Sequence, residues 1–185
     1  MNTNHINIKS GVIRTAFIGL TCALAITFGF LENLMPPLPF LPPGAKLGLS
    51  NIVVMFSGWT MGLPYAIITA LVKGLFSGIT RGFTAAFMSL SGGLLSAVIT
   101  TIFLRIKNTP FGMIGIGILG GITHNIGQLT AACIITTGAV WGYLPVLLIF
   151  GGICGALTGT TLYFISKAIM NSKFKLYFFS LIFLK

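Results

Sequence analysis

Eight polar side chains interrupt the long apolar runs of this chain and define the chemistry open to it: Glu32, Lys46, Asn51, Lys73, Arg81, His124, Asn125 and Gln128. On a helix, Gln128 lies one turn after His124, Asn125 sits about 100° from His124, and Gly121 leaves a small notch beside them. Such a face hydrogen-bonds either a neighbouring helix or a ligand. The three cations Lys46, Lys73 and Arg81 share one carboxylate, Glu32, which can enter a structural salt bridge with one of them but cannot neutralise all three. The excess points to a ligand with an anionic group, carboxylate or phosphate. Lipid headgroups are the other partners open to Lys46 and Arg81.

Glu32 is the only acidic residue in the chain, and there is no aspartate. Metal-dependent phosphoryl, prenyl and hydrolytic chemistry needs clustered oxygen ligands or sets of His and Cys. Cys22, Cys133 and Cys154 fall in three different apolar segments without metal-ligand spacing, so they read as small apolar fillers. No phosphate-binding loop of the Walker type is present, so any ATP must be hydrolysed elsewhere. These absences lead to a non-enzymatic reading, with no cofactor and no metal, and favour binding or transport of a small molecule.

The elements that position these residues must be membrane helices. Of 185 residues, 55% are hydrophobic and 6% charged, against about a quarter charged in soluble domains, and the mean hydropathy is +1.01. A helix needs roughly 20 apolar residues to cross a hydrocarbon core of about 30 Å. About six such segments are expected, near 12–34, 48–61, 62–78, 83–104, 112–137 and 143–168. The second and third are short and meet at Gly58, Gly62 and Pro64, which makes their boundary the hardest to place. The expected organisation is an N-terminal tail over 1–11, a six-helix all-α membrane domain over 12–168 and a tail over 169–185. The apolar run after Arg14 has the outline of a signal peptide around Ala23-Leu24-Ala25, yet it continues to Leu31, which favours a retained first helix.

The formal net charge of +10 is not gathered on a nucleic-acid-binding face. Lys9 and Arg14 precede the first segment, Arg105 and Lys107 follow the fourth, and Lys167, Lys173, Lys175 and Lys185 lie at the end of the sixth or beyond it. With six crossings these regions share one side, which the positive-inside rule makes the cytoplasm of a bacterial plasma membrane. Lys46 and Arg81 then fall outside, and Lys73 lies within the membrane near its outer half. The loop over 36–44 holds five of the eight prolines, so it is a stiff external segment, serving either as a turn stiffener or as a lid. The apolar stretch from Leu176 is too short to span and is expected at the cytoplasmic interface.

Small residues recur four apart: Gly151, Gly155 and Gly159 in the sixth segment, Gly117 and Gly121 in the fifth, Ser89, Gly93 and Ala97 in the fourth. In lipid such stripes let helix backbones approach closely, and these three are read as internal packing. The first segment carries a similar stripe, Thr15, Gly19, Ala23 and Thr27, roughly opposite Glu32. With Glu32 facing inward, that stripe faces outward as a docking surface; packing on a neighbouring helix is the alternative.

The strings Pro43-Gly44-Ala45-Lys46-Leu47-Gly48-Leu49-Ser50-Asn51, Ser89-Leu90-Ser91-Gly92-Gly93, Gly121-Ile122-Thr123-His124-Asn125-Ile126-Gly127-Gln128 and Tyr143-Leu144-Pro145, with Glu32 and the prolines before them, resemble the Gx transporter family. That family is also labelled heptaprenyl diphosphate synthase component I, and it is similar to the substrate-binding S components of energy-coupling factor transporters. The resemblance covers roughly 12–168. It implies a six-helix S-component bundle with both termini cytoplasmic and a pocket opening outward beneath the loop after the first helix. It also implies docking through small residues of that helix onto a transmembrane T subunit driven by two cytoplasmic ATPases. The stripe departs from a clean Ala-x-x-x-Ala pattern. Prenyl diphosphate synthases use two aspartate-rich clusters to hold magnesium, so a chain without aspartate cannot perform that reaction alone. Two functions follow: a substrate-capture subunit for uptake of a small molecule with an anionic or polar head, isoprenoid-, quinone- or vitamin-related, or an accessory membrane subunit of an isoprenoid or quinone biosynthetic enzyme.

Overall fold

The computed structural model describes residues 3–35, 48–106, 110–136 and 138–171. Every regular element among them is helical: α1 (Thr3–Leu34), α2 (Asn51–Thr60), α3 (Leu63–Arg81), α4 (Phe83–Arg105), α5 (Met113–Ile135), a 3-10 turn (Gly138–Tyr143) and α6 (Leu144–Asn171). Lys46, the proline-rich loop and the tail after Asn171 lie outside the described residues. Helix α1 begins at Thr3 and so runs through the segment expected as an N-terminal tail.

Five of the six helices contain a stretch long and apolar enough to cross a membrane. The exception is α2. Its 10 residues extend only about 15 Å, so the expected second span is a half-length helix and its residues before Asn51 are non-helical. The break between α2 and α3 follows from local chemistry. Gly62 adopts φ +102, which a side chain would resist, and Pro64 stands in the first turn of α3, where its missing N–H costs nothing. Gly82, at φ +87, makes the corresponding corner between α3 and α4.

Successive helices alternate in direction. Glu32 at the end of α1, the start of α2 and the end of α3 meet at one end, where Asn33 donates to Thr80 at 3.3 Å. Arg105, at the end of α4, lies against Gly62 at the opposite end. The chain is thus a multi-pass membrane bundle whose large apolar side chains turn outward: Ile79 is 86% exposed, and Phe83, Ile149 and Phe164 are also exposed.

The interior is made of small residues, as lipid-embedded packing requires. Ala66, Ala70, Ala97 and Val54 form one buried cluster, and Met55, Ile116 and Leu162 another. Helices α5 and α6 touch backbone to backbone. A Cβ at Gly117 would collide with Gly155 and Gly159, and one at Gly121 with Gly151. The glycine stripes in these two helices are therefore internal packing, and Gly93 and Ala97 of α4 pack on the Ala70 methyl at ordinary van der Waals distance. Helix α1 is peripheral, resting mainly on α3 and α2.

Candidate functional site

Glu32 occupies the last turn of α1 on the face that carries Thr21, Ala25 and Gly29, all buried, and its own side chain is buried. Its carboxylate accepts the backbone N–H of Leu49 and, at 3.2 Å, the hydroxyl of Ser50. These donors lie just ahead of α2, where free N–H groups and the helix dipole favour a negative charge. Gly48, at φ +78, bends the chain so that it can enter α2 beside Glu32. The Asn51 side-chain oxygen then accepts from Lys73 Nζ at 2.5 Å. Lys73 lies in the middle of α3, and its long side chain reaches to the start of α2.

Lys73, Ser77 and Arg81 repeat every four residues along α3, so they share one face. Arg81 donates to Ser77 Oγ at 3.0 Å. Opposite them, α5 presents His124 and Gln128, and α4 contributes Ser89. Together with Glu32 these residues line a cleft of about 360 Å³ counted to its open mouth. A second cleft of about 410 Å³ lies between α2, α4, α5 and α6, lined by Asn51, Met55, Asn125 and Phe150 among others. Gly48 and His124 border both, so His124 stands as the partition between two adjoining spaces.

Polar satisfaction across the site is uneven. Asn125 donates to the Leu147 carbonyl of α6 at 2.7 Å, so its amide is already engaged in holding two helices together. Gln128 Oε1 and His124 Nδ1 are buried and have no hydrogen-bond partner. Both side chains lean on Gly92 of α4, where a Cβ would come within 2.8 Å of Gln128 and 3.0 Å of His124 Nδ1. Glycine at that position is what lets α5 bring them there.

Of the eight polar residues singled out from the sequence, Glu32, Lys73, Arg81, His124 and Gln128 line the first cleft, and Asn51 and Asn125 the second. Lys46 lies outside the described residues. Sequence reasoning missed Ser77 and the backbone N–H of Leu49, and it took Ser89 for packing alone. The four-residue spacing of Lys73, Ser77 and Arg81 was a usable signal for Ser77, whereas nothing local marks Leu49. The stripe Thr15, Gly19, Ala23 and Thr27 is exposed along α1, and no atom lies within 4 Å of a Cβ built on Gly19. Among the described residues, no three His, Cys, Asp or Glu side chains come together as a metal site.

The family model described as heptaprenyl diphosphate synthase component I matches residues 21–165. Among solved structures, the chain is similar to the S component of a bacterial energy-coupling factor transporter. The two share 18% identity and a TM-score of 0.55, over 85% of this chain and 97% of that one. No curated protein matches the chain.

Proposed function

We propose that this chain, which belongs to the heptaprenyl diphosphate synthase component I family, is a substrate-capturing membrane subunit, S-component-like, of an energy-coupling factor uptake transporter. The observation that carries this is the cleft shared by Lys73, Arg81, His124 and Gln128 at the end of a bundle with the fold of an S component. Two cations and one carboxylate in the cleft leave a net positive charge at membrane depth, where charge is costly unless it serves a ligand or a partner. The substrate is a small molecule with an anionic or strongly polar head, and Asn51, Asn125 and Lys46 complete its surroundings.

Both termini are cytoplasmic in the bacterial plasma membrane, which places the clefts toward the outside. The exposed stripe at Thr15, Gly19, Ala23 and Thr27 docks on a transmembrane T subunit. Two cytoplasmic ATPases drive release, since the chain has no nucleotide-binding loop of its own. The family description supports a second reading, in which the chain is an accessory membrane subunit of an isoprenoid or quinone biosynthetic enzyme. Co-expression separates the two. Uptake of a labelled substrate that requires the T subunit and ATPases supports capture. Stable co-purification with a prenyl-transferring enzyme, with no uptake, supports the accessory role.

A further inference from the structure

We infer that Glu32 is the built-in counter-ion of the first cleft and that the molecule captured there carries a single negative charge, as a monocarboxylate or a phosphodiester does. The inference rests on the capture reading above and narrows it from anions in general to monoanions. Among the described residues, Glu32, Lys73 and Arg81 are the charged side chains that line this cleft. Glu32 is 6% exposed and Lys73 7%, so solvent ions do little to screen either. The segment Leu49-Ser50-Asn51 holds the two together: its first two residues donate to the Glu32 carboxylate, and the third accepts from the Lys73 ammonium. Arg81 stands two turns further along the same face of α3, and Glu32 attracts both cations.

With His124 counted as neutral, two cations and one carboxylate leave one positive charge in the cleft. Inside a membrane bundle, where a net charge is costly, a monoanion brings the cleft to neutrality. A dianion overshoots to an equal negative charge and sets its second charge against Glu32 in surroundings that screen poorly. Glu32 is therefore a specificity-determining residue: with its charge removed, the same cleft calls for two negative charges. A role confined to tying α1 to the start of α2 makes no such demand on the ligand.

Size-matched anions test this on the purified full chain in detergent micelles, by calorimetry at about pH 8, above the second pKa of a phosphate monoester. The pairs are butyrate against succinate, and dimethyl phosphate against methyl phosphate. On folded wild-type protein the monoanion of each pair binds at least about tenfold more tightly, within the reach of one poorly screened charge pair. Glu32→Gln, which keeps an acceptor oxygen, reverses the preference within each pair, and adding Lys73→Met to it restores the preference for the monoanion. Equal affinities on wild type, or the dianion preference that a third cation such as Lys46 would produce, overturn the inference and leave anion capture standing. A folded Glu32→Gln protein that binds both members equally weakly also overturns it, since Glu32 is then structural only. Failure of every anion to bind wild-type protein that melts cooperatively overturns the inference and the capture reading together. Phosphatidylglycerol, whose headgroup is a phosphodiester, separates two sources of a monoanion: competition with butyrate identifies a lipid headgroup, its absence a free solute, and the charge rule holds with either. Because the pairs are compared on the wild type, the result does not depend on whether the Glu32 variants fold.

Discussion

Lys73 in the middle of α3 donates its ammonium to the side-chain oxygen of Asn51, the first residue of α2, at 2.5 Å. The contact ties the start of a half-length helix to α3 and keeps a cation in the wall of the first cleft. Asn51→Leu leaves that buried ammonium without its acceptor and should destabilise the protein by about 1.5–3 kcal/mol, the worth of a charged hydrogen bond. Adding Lys73→Met to it should restore part of the loss, because both partners are then apolar. Thermal melting of the single and double variants in detergent checks the sign; an additive double mutant would show that the pair is not coupled.

Glu32→Ala removes the carboxylate that accepts Leu49 N–H and Ser50 Oγ and so ties α1 to the start of α2. The expected result is faster hydrogen exchange at the Leu49 amide and a loss of about 1–3 kcal/mol. Glu32→Gln keeps one acceptor oxygen and should fall between wild type and Glu32→Ala. Unchanged exchange at Leu49 in Glu32→Ala would contradict the tie.

Two glycine substitutions should separate packing from docking. At Gly155, any side chain runs into the backbone of Gly117 and Ile118, so Gly155→Val forces α5 and α6 apart and should cost at least the ~1–3 kcal/mol typical of overpacking. Gly19 has open space around it, so Gly19→Leu should change stability by less than about 0.5 kcal/mol. The same substitution should reduce co-purification with a T subunit. Melting curves and pull-downs on both variants read the contrast, and a Gly19→Leu protein that binds the T subunit normally would remove the stripe from the interface.

Orientation can be read in intact cells after Cys22, Cys133 and Cys154 are replaced by alanine. With both termini cytoplasmic, an impermeant thiol reagent added outside labels Thr84→Cys, beside the Gly82 corner, and spares Gly112→Cys, at the end that carries Arg105. The reverse pattern would invert the topology.

Much of this molecule was legible in its residues because lipid imposes simple rules. A chain with one acidic residue and long apolar runs has to fold as helices in a membrane, since only intrahelical bonding satisfies the backbone there. Glycines four apart in segments five and six had to meet a close neighbour, and the polar residues at 32, 73, 81, 124 and 128 had to turn inward. Their spacing placed each on an interior face of its own helix.

Which of them meet was decided only in three dimensions. Helix length depends on where backbone geometry stops it, so an apolar run expected to span became the short α2, ended by the positive φ of Gly62. The sequence offered three cations as partners of Glu32; Lys46 lies outside the described residues, and among the described ones the oxygens of Glu32 also accept Leu49 N–H and Ser50 Oγ, a meeting set by how Gly48 turns the chain. Asn125 and Gln128 look equivalent along α5, but a rotation of about 60° between them sends one amide to the Leu147 carbonyl and packs the other side chain on Gly92, its buried oxygen without a donor among the described residues. Hydrogen bonding is short-ranged and directional, so residue type and spacing identified the groups that need partners, and only the packing of α3, α4 and α5 around one cleft determined which of them meet.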